Sequence, residues 1–435
     1  MSLQLYDTTL RDGAQREGIA FSAADKLRIA HELDALGIHF VEGGWPGSNP
    51  KDAEFFRLAR EEHWQQTTIT AFGSTRRAGS RVEDDANLRA LLEAGTSVVT
   101  IVGKSWTLHV EAVLETTLDE NLRMIGESVA YLRKEGRRVF YDAEHFFDGY
   151  RANRDYALQT LKAAADAGAE CIILCDTNGG SLPGFVGDAV RDVAREIATP
   201  LGIHTHNDGE LAVANTLAGV EAGAVQIQGT INGYGERCGN ADLIPIIANL
   251  QIKLGIRVVS DEQLARLTEV SRFVAAVANL NPDDHAAFVG RSAFAHKGGI
   301  HVAAVAKVES SYQHIDPTLV GNERRVVVSE LAGRGNIRMR AKELGLALNG
   351  NERAVLAEVK ERESRGFQYE AAEGSFELLV RRSAPDYRPP FELLDALVVV
   401  EQREGRAMLA EATVKVRIGD EVVHTAADGC GPVHA

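Results

Sequence analysis

The sequence is short of several things, and each shortage excludes something. Its 435 residues hold four cysteines, Cys171, Cys175, Cys238 and Cys430, too few and too scattered for a disulfide framework. That fits a reducing, cytoplasmic setting. Cys171 and Cys175 have the spacing of a metal pair, but they lie inside the apolar run Cys171-Ile172-Ile173-Leu174-Cys175 and read as buried core thiols. No apolar run approaches the roughly 20 residues of a membrane span, and Met1-Ser2-Leu3-Gln4 does not open a signal peptide. Positive charge is in deficit: the formal net charge is −15, which argues against nucleic acid or an anionic membrane as partner and leaves small molecules. A local site can still be positive enough for an anionic substrate. Aromatic residues are only 6% of the chain, and tandem repeats and low-complexity tracts are missing.

What is there is an ordinary globular composition, 45% apolar and 25% charged, on a chain long enough for two or three domains. Over the first 230 residues β-type runs alternate with amphipathic helical stretches. The runs at 3–9, 40–45, 68–74, 97–103, 138–145, 171–177, 201–206 and 224–229 predict strands. Helices are predicted between them at 24–36, 84–94, 118–135, 154–167, 184–197 and 211–222, several closed by the glycine expected of a helix C-cap: Gly37, Gly95, Gly168 and Gly223. Eight strands with helical crossovers in about 250 residues is the count of an α/β fold of the (β/α)8, or TIM, barrel type. An open doubly wound sheet is the alternative, disfavoured because no G-x-G-x-x-G turn follows the first strand.

In a barrel the chemistry lies at the C-terminal ends of the strands. The polar clusters fall there: Asp7-Thr8-Thr9 and Arg11-Asp12-Gly13, Glu42, Asp142 and Glu144, Asp176-Thr177-Asn178, His204-Thr205-His206 and Gly235-Glu236-Arg237-Cys238-Gly239-Asn240. On a strand, His204 and His206 point the same way, as two imidazole ligands of one ion must. Asp12, His204, His206 and Asn240 together make a donor set for a borderline or hard divalent ion with positions left for water and substrate. Alone, Asp12 reads equally as a helix cap and Asn240 as a turn residue. Arg11 suits a carboxylate or a developing oxyanion, or else a salt bridge to Glu42 or Glu144. Glu144, on an apolar strand, is the carboxylate best placed for proton transfer, or an ion-pair partner. Glu42 orients Arg11 or a ligand, and Thr177 offers a hydroxyl to a substrate carboxylate or caps its strand.

After Leu254 the texture turns helical. Residues 261–278 are amphipathic, Asn281-Pro282 breaks them, and helical stretches recur from Ser329 and at 353–364. Between lies Phe294-Ala295-His296-Lys297-Gly298-Gly299-Ile300-His301, where glycines beside His and Lys suggest close approach to a ligand, and Tyr312 offers a second contact. The runs 375–381, 391–401 and 408–418 predict strands. The chain stops at Gly431-Pro432-Val433-His434-Ala435, a helix start with no helix after it, so this last domain reads as partial. The expected division is a barrel over 1–265, helical subdomains completing the active site over 266–368 and a partial α+β domain over 369–435.

Asp7-Thr8-Thr9-Leu10-Arg11-Asp12-Gly13, His204-Thr205-His206-Asn207-Asp208 and Gly235-Glu236-Arg237-Cys238-Gly239-Asn240, in this order on these strands, resemble the DRE-TIM metallolyase superfamily and, within it, the 2-isopropylmalate, homocitrate and citramalate synthases. Val41-Glu42-Gly43-Gly44-Trp45-Pro46-Gly47-Ser48-Asn49-Pro50, Asp142-Ala143-Glu144-His145-Phe146-Phe147-Asp148-Gly149 and His296-Lys297-Gly298-Gly299-Ile300-His301 are most similar to the citramalate branch. The resemblance implies a Claisen-type condensation of acetyl-CoA with a 2-oxo acid, pyruvate in that branch, serving branched-chain amino acid (isoleucine) biosynthesis; 2-isopropylmalate or homocitrate synthesis is the alternative. It implies a divalent metal (Zn, Mn or Mg) on Asp12, His204, His206 and Asn240, and Arg11, Glu42 and Thr177 at the substrate. Glu144, His296 and Tyr312 would be catalytic beside Arg11, the last two often lent by the partner of a homodimer. The final domain would sense an amino acid such as isoleucine or leucine. A pyruvate pocket touches only a methyl group, so Tyr141, Phe146 and Phe72 are expected to close it. The catalytic cysteine loop of the acyl-CoA lyases, of Gly-Gly-Cys-Pro type, is missing.

Overall fold

The computed structural model describes residues 3–402, 404–405 and 408–435; Met1 and Ser2, where no leader is expected, lie outside the described residues. Eight parallel strands close into a barrel in chain order. They are β1 (Gln4–Asp7), β2 (Phe40–Gly44), β3 (Thr68–Ser74), β4 (Val98–Lys104), β5 (Arg138–Glu144), β6 (Cys171–Asp176), β7 (Leu201–Thr205) and β8 (Gln226–Gly229). β1 pairs with both β2 and β8, which removes every sheet edge. The (β/α)8 expectation holds, and strand ends fall within a few residues of the predicted bounds.

Alternation along each strand separates two cores. Outward-facing Leu5, Val41, Val99, Ile101, Val139, Tyr141, Ile172, Leu174, Ile203 and Ile227 meet the helices in one continuous apolar cluster. The barrel interior holds a second cluster of Tyr6, Phe40, Val98, Phe140, Cys171, Ile173 and Cys175. Both thiols are buried and free, as read from the sequence, and burial pushes both well above the ordinary thiol value. The helix Ala23–Leu36 opens on a Ser22–Asp25 capping box and closes on Gly37 in the left-handed region (φ 89°). The helix Pro50–Ala59 was not expected; Asn49 caps it and Pro50 occupies its first turn.

The chain forms two compact units. One runs through Phe294 and takes in His314–Arg324; the other comprises Ala295–Gln313 and Arg325–Ala435. In the second unit β9 (Ala295–His296) pairs with β10 (Arg325–Val326), and β11 (Glu392–Glu401), β12 (Leu409–Ile418) and β13 (Glu421–Gly429) make an antiparallel sheet. The strand predicted at 375–381 is instead part of the helix Glu373–Arg382. Its apolar residues Phe376, Leu379 and Val380 are spaced i, i+3, i+4, a helical stripe, and they bury against Val355 and Val359 of the helix Glu352–Ser364. The sheet's third strand is β13, which the sequence reading passed over. Among the described residues no helix is long and apolar enough to cross a membrane.

Candidate metal centre and substrate cavity

At the barrel's C-terminal mouth, β7 delivers His204 and His206 to one side and the turn after β1 delivers Asp12. His204 Nε2 lies 3.3 Å from Asp12 Oδ2 and 3.4 Å from His206 Nε2. One donor atom from each of the three falls within 4.8 Å of the others. All three side chains are buried. Asp12 heads a single 3-10 turn but makes no capping hydrogen bond, so its carboxylate is left for the cluster. Burial alone would raise this carboxyl, yet Arg11 and His204 outweigh burial and hold it well below the usual carboxylate range. Burial, partly opposed by Asp12, pulls His206 down to about 4, so its imidazole is neutral at physiological pH, as a ligand must be.

Asn240 joins from the turn after β8. A bridge couples it to His206, and Asn240 N–H donates to Gly233 O at 3.0 Å. The turn leaves no room for a side chain beside it: a Cβ on Gly239 (φ +95°) would stand 2.0 Å from Gly233 O. Both polar atoms of the Asn240 amide, and Nδ1 of His206, are buried without a hydrogen-bond partner. Buried polar atoms are normally satisfied, and a cation beside His206 would give the Asn240 amide oxygen a partner. Two imidazoles and a carboxylate gathered in one buried cluster, with Asn240 bridged to His206 beside them, thus fit a divalent ion.

Arg11 runs from the cluster to Glu42. Its Nε donates to Glu42 Oε1 at 2.5 Å, and its guanidinium lies 3.9 Å above the Phe72 ring. Glu42 is fully buried on β2; its other oxygen accepts from Tyr6 OH at 2.6 Å, and Tyr6 OH is also bonded to Thr100 and Thr70. Of the two partners left open for Arg11, the fold selects Glu42. Glu144 pairs with Lys104 of the neighbouring strand, and its side chain is 24% exposed rather than buried as its strand suggested. Thr177 Oγ1 accepts the backbone N–H of His145 at 2.9 Å.

A cavity of about 190 Å³ opens over this floor, lined by Arg11, Asp12, Glu144, Thr177, His204 and His206 and walled by Trp45, Phe72, Val102 and Cys175. Glu42 and Asn240 are not in the lining but adjoin two residues that are, Arg11 and His206. Of the three aromatics expected to close the pocket, only Phe72 does. Tyr141 occupies an outward position of β5 and Phe146 starts the next helix, so both are buried in the barrel–helix core. Trp45 meets Phe72 edge-on at 5.4 Å, held by its indole N–H to Asn87 Oδ1 at 2.7 Å. Arg237 clasps the mouth: it donates to both oxygens of Asp208, at 2.7 and 2.9 Å, and to Thr177 O at 2.8 Å.

His296 and Tyr312 belong to the second unit. His296 is buried, with Gln313 Nε2 3.5 Å from its Nε2. Tyr312 is exposed, and the ring stacked on it, at 4.4 Å, is that of His301. Residues the sequence reading missed at the site include Lys104, Val102 and Gln228. Gln226 and Gln228 repeat the i, i+2 signature of the two histidines, which marked them as inward-facing.

The HMGL-like family pattern matches residues 2–274, and the homocitrate synthase post-HMGL domain-like pattern matches 288–366. The chain therefore belongs to the HMGL-like family, and within it to the citramalate synthase branch. An (R)-citramalate synthase of Geobacter sulfurreducens is 52% identical over 440 residues, spanning 100% of this chain and 83% of the relative. One from Synechocystis is 55% identical, over 100% of this chain and 82% of the relative. A 2-isopropylmalate synthase of Methanocaldococcus jannaschii is 30% identical, over 99% and 81%. Among solved structures, the hydroxymethylglutaryl-CoA lyase of Pseudomonas aeruginosa superposes with a TM-score of 0.54 at 20% identity, covering 65% of this chain and 94% of that one, a likeness of fold.

Proposed function

We propose that the chain condenses acetyl-CoA with pyruvate to give (R)-citramalate and CoA, an acyl-to-alkyl transfer feeding isoleucine biosynthesis in the cytoplasm. The observation that carries this reading is the buried Asp12–His204–His206 cluster with Arg11 beside it, on the floor of a cavity of about 190 Å³. Asp12, His204 and His206, with Asn240, would hold a divalent ion (Zn, Mn or Mg), which supplies Lewis acidity to the carbonyl of a chelated 2-oxo acid. Thr177 takes the substrate carboxylate. Glu144 accepts a proton from the acetyl methyl group, or orients the group that does, with Lys104 fixing its carboxylate. Arg11, aligned by Glu42, stabilises the enolate oxygen, because its charge is held where negative charge develops. The carbon–carbon bond forms between the acetyl methyl carbon and the pyruvate carbonyl carbon. Hydrolysis of the thioester then releases CoA and makes the sequence irreversible.

Phe72, Trp45 and Val102 narrow the cavity, which favours a methyl over a branched 2-oxo acid side chain and disfavours 2-isopropylmalate or homocitrate synthesis. His296 and Tyr312 are the candidates from the second unit; within it the His296 ring is buried and the Tyr312 ring exposed. We assign the barrel to 1–265, active-site-completing subdomains to 266–368 and an amino-acid-sensing part to 369–435, in a homodimer whose subunits exchange the middle part. Acetyl-CoA supplied in turn with pyruvate, 2-oxoisovalerate and 2-oxoglutarate, with divalent metal, tests the reading by free thiol release. Release with pyruvate is expected to dominate; no pyruvate-dependent release overturns it.

A further inference from the structure

His204 has a second neighbour besides the metal cluster. The register of β7 on β8 sets His204 opposite Gln228, and His204 Nδ1 lies 2.9 Å from Gln228 Oε1. The amide's other end crosses the barrel interior, where Gln228 Nε2 donates to Asp142 Oδ1 of β5 at 3.0 Å. Gln228 is fully buried, and Asp142 is buried and lines the substrate cavity.

The chemistry of this chain of three runs one way. A carboxyl oxygen that accepts needs the NH2 end of the amide, so Asp142 turns the carbonyl oxygen of Gln228 toward His204. A carbonyl oxygen only accepts, so His204 must carry its proton on Nδ1. In the neutral ring, the form that can ligate, the other nitrogen, Nε2, then holds the lone pair, and it is the atom that faces Asp12 and His206. Without the amide the imidazole can take the opposite tautomer, with Nε2 protonated and unable to ligate, or turn about its χ2 axis.

We propose that Gln228 is a positioning residue of the metal centre, holding His204 in the orientation and tautomer that present Nε2 to the ion, with Asp142 setting the direction of the amide. The inference rests on the metal reading above. It adds that one wall of the substrate cavity, through Asp142, is mechanically continuous with a metal ligand.

The test measures cobalt or zinc affinity of the full chain by competition with a chromophoric chelator, with metal-free melting temperature alongside. Gln228→Met keeps the volume and loses the acceptor. It is expected to bind metal about 10- to 100-fold more weakly, the usual effect of removing an outer partner of a ligating histidine. Gln228→Glu keeps an acceptor opposite Nδ1 and is expected to retain most of the affinity. Should Gln228→Met not fold, Gln228→Asn, whose amide is too short to span from His204 to Asp142, carries the same expectation of weakened binding. Wild-type affinity in Gln228→Met or Gln228→Asn overturns the positioning role and leaves the metal reading intact. A wild-type chain that binds neither metal overturns both.

Discussion

Arg11 and Glu42 are joined by a 2.5 Å hydrogen bond from Nε to Oε1, and the carboxylate it reaches is wholly buried inside the barrel. The pair is a strut: Glu42 is pinned from behind by Tyr6, and Arg11 stacks on Phe72 with its remaining N–H groups toward Asp12 and the cavity. Arg11→Gln is expected to lower kcat by about 10²- to 10³-fold with little change in bound metal, the cost of losing one aligned oxyanion donor. Glu42→Gln should lower kcat by a smaller factor, because the guanidinium survives but swings. Steady-state kinetics with acetyl-CoA and pyruvate, beside metal analysis of the purified variants, measures both.

The proposed ligand set ranks its members. His204→Ala and His206→Ala each remove a ring nitrogen from a three-donor cluster and are expected to abolish bound metal and turnover together. Asn240→Ala removes a neutral oxygen and leaves the three stronger donors, so it should weaken metal binding without abolishing it. Elemental analysis after dialysis separates the two classes. Full metal content in His204→Ala would remove that histidine from the site.

Phe72 is both a wall of the cavity and the surface under Arg11. Phe72→Ala opens space where the side chain of the proposed substrate would end. The ratio of kcat/KM for 2-oxobutanoate to that for pyruvate is expected to rise by about tenfold, the scale of one methylene in a hydrophobic pocket. Both absolute values should fall, since Arg11 loses its support. An unchanged ratio would place the substrate's side chain elsewhere.

On the barrel's flank Arg76, itself buried, donates to Glu120 at 2.7 Å and to Glu127 at 2.7 Å. The bond from Arg76, aided by the Gly79 N–H, lowers Glu120 from 4.5 to about 2. A depressed carboxylate stabilises the fold above its unfolded value and loses that contribution as pH falls through the folded one. Wild type should therefore exceed Glu120→Gln in melting temperature at pH 6, with the gap closing between about pH 4.5 and 2. Thermal melts across that range decide it; a gap independent of pH contradicts the ion-pair account.

The barrel was legible because its signals are local. Alternation along β7 places His204 and His206 together whatever the rest of the chain does, and glycine after a helical stretch marks where each helix stops. Partner choice was not legible. Arg11 had two carboxylates in prospect, and only the register of β2 beside β1 gives it Glu42, while β4 beside β5 gives Glu144 to Lys104. The facing of Tyr141 fails for the same reason: one residue of register separates the cavity lining from the outer core. The Glu373–Arg382 helix was misread because a short apolar run fits both periods until its packing partners are known.

The Arg237 clasp has a kinetic consequence. Its guanidinium ties the β6 turn, at Thr177, to the β7 turn, at Asp208, from the β8 turn that carries Asn240. Backbone bonds run across the same seams: Gly209 N–H to Gly179 O at 3.1 Å, Asn207 N–H to Gly239 O at 2.8 Å and Ala241 N–H to Thr205 O at 2.9 Å. Three turns stitched to one another cannot breathe singly. They are expected to open as one cooperative unit, so the amides of Asn207, Gly209 and Ala241 should share a single opening event in hydrogen exchange, and an ion held behind them would leave at the pace of that event.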